Sequence, residues 1–393
     1  MHKPLPALPS SFGGNRTLWE SGPPAPVAAR IAIAGDFIPS GRLCLPAGRT
    51  WREMASQAAP LFAGTDAGIF NLECVLDSRG LSPRPLNGLG AIVSAPSAAL
   101  DYPAALGLPF AGVANNHAFD YGPAGAARTL AAVSSRGMIP LGAGRSLRDS
   151  PSVHVWENPA RNVRVGFWAA ARATHDPSAA LLRGVEPATP SRARAALHLL
   201  RARGAQFCIA LLHAGCLRTS YPAPEDASLL DSLAAAGFDV VAASHSHLIS
   251  GARAAGSHTR PAFCFYGLGS LASGYVASPI EAEGLVVIAS LAPSGSLARL
   301  EVRPLSLDPS GWAGVPSPEA AVEILARFDG LSRHITDGSF AARFYRDMSQ
   351  SMFATYWRDV RAAFGTSGIR GLVRKARRAR LLHVKRLVRA VVG

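Results

Sequence analysis

Short apolar runs end abruptly in polar side chains, and this pattern recurs along the chain. Uninterrupted apolar runs of this length are typical of strands that are buried on both faces of a parallel sheet. The carboxyl ends of such strands meet at one edge, which is where open α/β sheets bind ligands. The runs lie at 30–35, 67–70, 110–114, 206–212 and 238–243, and they are followed by Asp36, by Asn71 with Glu73, by Asn115 to His117, by His213, and by His245 with His247.

The segments between these runs predict helices and antiparallel strands. Alternating apolar and polar residues predict a hairpin of 153–156 with 163–167, and an antiparallel pair of 283–291 with 296–305 at the edge of a sheet. Together with the buried runs, these patterns predict a mixed α/β fold. Helical spacing of apolar residues appears at 51–62, 124–136, 191–203 and 224–236.

The patterns divide the chain into three segments. Residues 1–28 are rich in proline and glycine and lack periodicity, so we expect a flexible N-terminal arm. Residues 29–310 carry the predicted strands and form one domain. Residues 311–393 are predicted to be a helical extension, with a helix at 320–328 and a basic tail at 369–393.

The net charge of +14 is concentrated in that tail. No acidic residue follows Asp359, and residues 369–393 contain nine lysines and arginines with apolar residues at helical spacing. Such a helix suits an anionic membrane surface, where each cation contributes about 1 kcal/mol, or an anionic polymer such as polyglutamate. The lack of aromatic residues among the charges disfavours nucleic acid. A solvated terminus packed on the body is the simpler alternative.

The cysteines and the apolar segments indicate the compartment. Five cysteines are scattered without paired spacing, and Cys74, Cys208 and Cys264 lie inside apolar runs, which indicates reduced core residues. The N-terminus has no signal-peptide pattern, and no run is as long as a membrane span. We therefore expect a cytoplasmic protein without a signal peptide or transmembrane segment, whose contact with the inner membrane is at most peripheral.

The polar strand ends carry side chains that bind metal ions. Mixed oxygen and nitrogen ligands favour Mn, Fe or Zn over Mg or Ca, and a shared carboxylate such as Glu73 can bridge two ions roughly 3.5–4 Å apart. His-x-His, as in His245 and His247, is a common ligand spacing. Each residue alone has a simpler reading: an asparagine before a helix forms a turn, and a glutamate ends a strand in solvent. Together they predict a divalent transition-metal centre of one or two ions.

Six short motifs occur in the order seen in the CapA family, also called PGA_cap or capsule-synthesis proteins, which is linked to poly-γ-glutamate capsules. The resemblance covers roughly residues 28–290. It implies a four-layer α/β fold, in which a metallophosphoesterase-like double β-sheet core is flanked by helices. The motifs are GDFIPSGR, NLEC, VANNHAFDYG, LLHAG, GFDVVAASHSH and YGLGS.

The resemblance also implies a role for individual residues. His117 would be the acid that protonates the leaving group, and Asp120 would orient His117 through a hydrogen bond. The implied metal ligands are Asp36 and His247 for a first ion, Asn116, His213 and His245 for a second ion, and Glu73 between them. The residues expected to contact the substrate are Arg42, Asn71, Asn115 and Tyr266.

The chain departs from the metallophosphoesterase pattern in three motifs. Ile38 stands where the first motif has a histidine, which removes one ligand of the first ion. The segment from His213 to Leu217 lacks the aromatic and acidic residues of the family's His-Trp-Gly-x-Glu. The segment from Tyr266 ends in Ser270, where the pattern has an asparagine.

Two functions follow from this combination. The first is a metal-dependent hydrolase associated with capsule or poly-γ-glutamate-type polymer synthesis, in which water attacks a phosphoester or γ-glutamyl amide bond and His117 is the acid. The second is a non-catalytic protein that binds an anionic polymer or an assembly partner. The lost first-motif histidine favours the second function, and the intact Asn116-His117, His213 and His-x-His favour the first.

Overall fold

A computed structural model describes residues 15–21, 26–83, 92–144, 150–172, 184–256 and 261–348. The basic tail at 369–393 and most of the arm at 1–28 lie outside these ranges. In chain order the strands are β1 (Arg16–Glu20), β2 (Ala29–Ile38), β3 (Ala67–Leu72), β4 (Val75–Leu76), β5 (Ser94–Ala95), β6 (Phe110–Gly112), β7 (Ile139–Leu141), β8 (Val153–Asn158), β9 (Val163–Ala171), β10 (Phe207–His213), β11 (Val240–Ser244), β12 (Ala252–Gly256), β13 (Pro261–Phe265), β14 (Ser270–Ser273), β15 (Glu283–Leu291), β16 (Leu297–Leu307) and β17 (Ala313–Gly314).

The helices lie between and after these strands. Short 3-10 helices occur at Ala55–Gln57, Ala59–Phe62, Ser97–Leu100 and Pro279–Ala282. The α-helices of the described ranges are α1 (Trp51–Met54), α2 (Asp101–Ala105), α3 (Gly122–Ser135), α4 (Pro190–Ala202), α5 (Pro224–Ala236) and α6 (Pro318–Thr336).

Two large sheets form the core of the described chain. The first has the order β1-β16-β15-β2-β3-β6-β7, with β14 beside β2 and β17 beside β16. Its pairs β14–β2, β2–β3, β3–β6 and β6–β7 are parallel. The second sheet has the order β12-β13-β11-β10-β9-β8, and its three central pairs are parallel. A small parallel pair, β4 with β5, lies apart from both.

Alternating side chains pack each sheet against the other sheet on one face and against helices on the opposite face. Ile31 and Ile33 of β2 pack between the two sheets, together with Phe207 and Ile209 of β10. The intervening residues face helices: Ala32 and Phe37 pack in the cluster with α1 and α2, and Cys208 and Ala210 pack against α4 and α5. Because both faces of these strands are covered, they are almost wholly apolar. The predicted four-layer α/β fold is confirmed.

Three elements differ from the patterns read in the sequence. Residues 51–62 form α1 and two 3-10 helices instead of one helix, because Pro60 disfavours the α conformation of the residue before it and lacks an N–H. The strands β15 and β16 pair antiparallel as expected, but neither is an edge strand. β15 also pairs with β2, and β16 pairs with β1, which forms within the expected arm because Leu18 buries its side chain in the core.

The described part of the C-terminal extension packs on the domain. Phe328 of α6 is buried in the cluster between the sheets. The Tyr221 hydroxyl lies 2.8 Å from His334 Nδ1, and Phe344 packs with Ala223 in a small apolar cluster. The extension therefore holds the segment that follows β10. No helix in the described ranges is both long and apolar enough to cross a bilayer.

Candidate metal centre

The carboxyl ends of β2, β3 and β11 bring Asp36, Glu73 and His247 together. Asp36 Oδ2 lies 3.1 Å from His247 Nδ1, and Glu73 Oε2 lies 3.9 Å from the same nitrogen. One ligand atom from each of the three residues lies within 4.8 Å of the others. Both carboxylates are buried, and His247 is partly buried. These three side chains form the first ligand group.

A second ligand group shares Glu73 with the first. It consists of Glu73, His213 and His245, whose ligand atoms also lie within 4.8 Å of one another. Glu73 Oε1 is 3.6 Å from His213 Nε2, and the ring centroids of His213 and His245 are 4.4 Å apart. Asn116 Oδ1 lies 2.7 Å from His213 Nε2, which places the amide oxygen beside this group. Glu73 therefore stands between two sets of possible ligands.

An irregular backbone turns both histidines of the His-x-His segment towards the centre. His245 and His247 have φ angles of 108° and 59°, in a region that is costly for residues other than glycine. The His245 amide donates a 3.0 Å hydrogen bond to Asp36 Oδ2. Such strain persists where surrounding contacts hold it, and it is concentrated at functional sites.

Gly35 allows β2 to approach the segment before β14 closely. A Cβ at this position would lie 1.9 Å from the carbonyl oxygen of Gly269. The next amide, that of Asp36, donates to the same oxygen at 3.2 Å. The Gly-Asp step therefore fixes the Asp36 carboxylate at the strand end, because only glycine leaves room for this contact.

Asn71 and Asn115 form a hydrogen-bond network behind the ligands. Asn71 Nδ2 donates to Asp36 Oδ1 at 2.6 Å and lies 3.2 Å from His213 Nδ1. Asn115 Nδ2 donates to Asn71 Oδ1 at 3.2 Å and to the carbonyl of Leu72 at 2.7 Å. Both side chains are buried. Their amides therefore bond within the protein in this structure, and their predicted contacts with a substrate stay predictions.

His117 lies at the edge of this centre with one ring nitrogen held in place. Its Nδ1 is 2.7 Å from Asp120 Oδ2, which also accepts a 2.8 Å hydrogen bond from the Val93 amide. The other nitrogen, Nε2, lies 4.0 Å from Glu73 Oε1. Asp120 is therefore placed to orient the imidazole, with Nε2 directed to the ligand side.

The buried charges perturb one another strongly. Burial alone would raise the pKa of Asp36, but the hydrogen bond and charge of His247, with His213 and Asn71 nearby, hold it well below 3.8. Burial, and then the charges of Asp36 and Asp120, raise the pKa of Glu73 well above 4.5. Burial lowers the pKa of His213 well below 6.5, as do the neighbouring histidines, and Asp36 opposes them.

The residues fit a divalent transition metal. Glu73 Oε2 is buried and accepts no hydrogen bond within the described residues. A buried carboxylate beside a second carboxylate requires a positive charge nearby to stay ionised. Two carboxylates, three imidazoles and an amide oxygen form a mixed oxygen and nitrogen donor set, which suits Mn, Fe or Zn.

Two of the predicted substrate residues do not join this group. Tyr266 is buried on the helix side of the second sheet, where its hydroxyl donates to Asp231 of α5 at 2.6 Å. In this structure its hydroxyl is bonded inside the core, and its predicted contact with a substrate stays a prediction. Arg42 lies exposed in the loop after β2. Ile38 is buried among apolar residues and offers no ligand atom.

Arg172 is a residue near the centre that the sequence reading missed. It follows β9, and its amide donates to the carbonyl of His213 at 3.0 Å. Its guanidinium pairs with Asp226 of α5 at 3.0 Å. Its sequence signal is the same as that of the ligands, since Arg172 is the polar residue that follows the apolar run 165–171.

Comparisons with known proteins agree with the motifs. The model of a family described as bacterial capsule synthesis protein PGA_cap matches residues 30–275, which confirms the resemblance predicted from the sequence. No curated protein matches the chain significantly.

Solved structures with a similar fold include nucleotidases and a phosphoesterase. A 5'-nucleotidase precursor from Thermus thermophilus is 14% identical with a TM-score of 0.44, over 77% of this chain and 58% of that chain. An NAD nucleotidase from Haemophilus influenzae is 12% identical with a TM-score of 0.40, over 76% and 55%. A calcineurin-like phosphoesterase from Bacillus subtilis is 13% identical with a TM-score of 0.46, over 78% and 99%. The chain thus spans little more than half of either nucleotidase, and likeness at this level says nothing about its reaction.

Proposed function

The chain belongs to the bacterial capsule synthesis protein family PGA_cap, and on this premise we propose that it is a metal-dependent hydrolase of capsule-type polymer synthesis. The bond that it cleaves is a phosphoester or an amide of the γ-glutamyl type. The metal is Mn, Fe or Zn, bound as one or two ions by the two ligand groups at the carboxyl ends of the strands.

One observation carries this proposal. Glu73 belongs to both ligand groups, and in each group the ligand atoms lie within 4.8 Å of one another. A buried carboxylate shared between two sets of imidazole and carboxylate donors is the arrangement that two-metal hydrolytic sites require. A purely structural role would leave Glu73 Oε2 buried without a hydrogen bond, which is costly for a polar atom.

The metal ligands, His117 and Asp120 have different roles in the proposed reaction. A bound divalent ion supplies Lewis acidity, which lowers the pKa of water and polarises the bond to be cleaved. Asp36, Glu73 and the histidines hold that charge in place. His117 donates the Nε2 proton to the oxygen or nitrogen that leaves as water adds, while Asp120 accepts the Nδ1 hydrogen bond. The bond from phosphorus or from the carbonyl carbon to the leaving atom would break as the bond to the water oxygen forms, and the proton that the water loses would reach His117 through solvent.

The proposed substrate is anionic. Capsule polymers of the poly-γ-glutamate type carry a carboxylate on every residue, and phosphoesters are also anions, so both classes suit a cationic site. The tail at 369–393, with its nine cations, would retain such a polymer or rest on an anionic membrane. Within this proposal the protein acts in the cytoplasm, at or near the inner membrane, and nucleic acid is not its partner.

A second function is favoured by one residue. Ile38 leaves the first ligand group with three side chains, Asp36, Glu73 and His247. If that group binds no ion, the protein retains the fold and binds an anionic polymer or assembly partner without cleaving it. The measurement of bound metal, followed by the cleavage assay, separates the two functions.

The test is elemental analysis by plasma mass spectrometry of protein purified without chelators or a histidine tag. Wild type should carry about one or two equivalents of Mn, Fe or Zn, and Asn116→Ala and His247→Ala should carry less. His198→Ala removes an exposed histidine of α4 and serves as the matched control. Metal-loaded protein is then assayed with phosphoester and γ-glutamyl amide substrates.

The result that overturns the hydrolase is equally definite. Wild type that binds no metal after incubation with each ion, or that keeps its metal in both ligand variants, contradicts the proposal. Metal binding without cleavage of either substrate class supports the polymer-binding function instead.

A further inference from the structure

Three exposed apolar side chains belong to segments that hydrogen bonds and an ion pair connect to the candidate metal centre. Among the described residues, large apolar side chains are exposed at Leu217, Tyr275, Ile280, Val315 and Val322. The first three belong to segments that follow β10, which ends at His213, and β14, which begins beside Asp36 of β2. Their exposed fractions are 52%, 38% and 38%. Clustered exposed apolar residues at one place indicate a binding surface, whereas isolated ones do not.

Hydrogen bonds connect these segments to the ligands. The Arg218 amide donates at 3.0 Å to the carbonyl of Ser246, which lies between His245 and His247. Arg218 has a φ angle of 58°, so its backbone conformation is held by this contact. Leu217 precedes Arg218 and is therefore fixed directly beside the His-x-His segment.

An ion pair brings the second segment to the same place. Arg218 Nε lies 2.8 Å from Glu281 Oε1, and the Glu281 side chain is only 7% exposed. Glu281 Oε2 accepts a 2.6 Å hydrogen bond from the Ala277 amide, which closes the segment from Tyr275 onto the same carboxylate. Ile280 precedes Glu281, so Leu217 and Ile280 flank the two partners of one ion pair.

Tyr275 completes the surface on the side of β2. Its hydroxyl lies 3.4 Å from Ser40 Oγ, and the Arg42 amide donates to the carbonyl of Gly274 at 3.1 Å. The side chain of Arg42 is exposed in the same loop. The surface thus combines apolar side chains with a cation beside a site built to hold a metal.

We propose that Leu217, Tyr275 and Ile280 form a specificity rim that binds the apolar substituent of an anionic substrate, whose charged group lies at the metal centre. The assignment rests on the proposed function, because the metal centre and the exposed Arg42 supply the charge that an anion complements. It deepens that function by naming the substrate class: an anion with an alkyl or aryl group next to the bond that is cleaved. A fully hydrophilic polymer would leave the rim exposed.

The test compares the binding of methyl, butyl and octyl phosphate to Mn-loaded full-length protein by calorimetry. For wild type we expect affinity to rise with chain length, by roughly fourfold for each fully buried methylene. The double variant Leu217→Ser/Ile280→Ser should lose most of this rise and keep its affinity for methyl phosphate. Val315→Ser/Val322→Ser removes the other two exposed apolar side chains and should behave as wild type.

Each other outcome decides the question. Equal dependence on chain length in wild type and the Leu217→Ser/Ile280→Ser variant overturns the rim, and so does no dependence in wild type. Binding to phosphatidylglycerol vesicles that is lost in this variant, without chain-length dependence for the soluble phosphates, assigns the surface to a membrane and overturns the proposal. A rim-dependent rise in protein that elemental analysis shows to bind no metal supports the rim while the hydrolase proposal fails.

Discussion

Asn71 donates a 2.6 Å hydrogen bond from its side-chain amide to Asp36 Oδ1, and this bond fixes the orientation of a carboxylate in the first ligand group. Hydrogen bonds to ligands orient them and raise metal affinity, and their loss typically costs about 10- to 100-fold in affinity. Asn71→Ala should therefore weaken Mn binding by about that factor, measured by competition with a fluorescent chelator.

A matched variant separates this effect from general loss of structure. Asn158→Ala removes a different asparagine, which is partly buried and whose side-chain amide donates to the carbonyl of Ala28 at 3.4 Å. Asn158 belongs to neither ligand group. It should leave Mn affinity unchanged, with circular dichroism confirming that both variants fold. Unchanged affinity in Asn71→Ala would show that Asp36 does not need this donor.

The shared carboxylate predicts how metal ions are lost in ligand variants. His247 belongs to the first ligand group, His245 to the second and Glu73 to both. If two ions bind, His247→Ala and His245→Ala should each lose about one equivalent, whereas Glu73→Gln should lose both, because a neutral amide cannot bridge two cations. Elemental analysis of the three proteins checks this. Loss of a single equivalent in Glu73→Gln would mean that Glu73 serves one ion only.

His117 and Asp120 should act as a unit. Asp120 Oδ2 lies 2.7 Å from His117 Nδ1 and orients the ring. With a model phosphodiester, His117→Ala should lower kcat by about 10²- to 10⁴-fold, the usual contribution of a general acid. Asp120→Asn should lower kcat by a smaller factor, with metal content unchanged in both variants.

The double variant tests the coupling between these two residues. Because Asp120 would act through His117, adding Asp120→Asn to His117→Ala should cause no further loss of kcat. Multiplicative losses would assign Asp120 an independent role, for example in holding the Val93 amide.

Glu73 should make the metal-free protein less stable as the pH rises. Burial and the charges of Asp36 and Asp120 raise its pKa well above 4.5 in the folded state. Above pH 4.5 the unfolded chain has released this proton while the folded chain still holds it, so the folded state binds more protons and its free energy of unfolding falls with pH. The fall ends once the pH exceeds the raised pKa.

Glu73→Gln removes this titration, and the comparison isolates it. We compare the free energies of unfolding of Glu73→Gln and wild type in the presence of a chelator. The value for the variant minus the value for wild type should increase by about 1.4 kcal/mol per pH unit above pH 4.5, until the pH exceeds the raised pKa of Glu73. Denaturant unfolding at a series of pH values measures the difference. Glu157→Gln, at an exposed residue, is the control. A constant difference between wild type and Glu73→Gln across this range would contradict the raised pKa.

The polar ends of the apolar runs predicted which residues lie at the strand ends of each sheet. Asp36, Glu73 and Asn116 follow parallel strands of the first sheet, and His213 and His247 follow parallel strands of the second, so short local patterns place each set at one edge of its sheet. The packing of the two sheets brings the two edges together. The order of the six motifs along the chain identified the family. The metal roles of these residues remain predictions.

The hydrogen-bond partners of individual side chains depended on the tertiary structure. The sequence predicted that Asn71, Asn115 and Tyr266 would contact a substrate, but the first two bond within the ligand network and Tyr266 bonds to Asp231. The amino-acid types at positions 245 and 247 also did not predict the positive φ angles of His245 and His247. A residue's position along a strand is a local property, so the sequence determined it. Its partners come from strands and helices distant in the chain, so only the packing of the two sheets and their helices decided them.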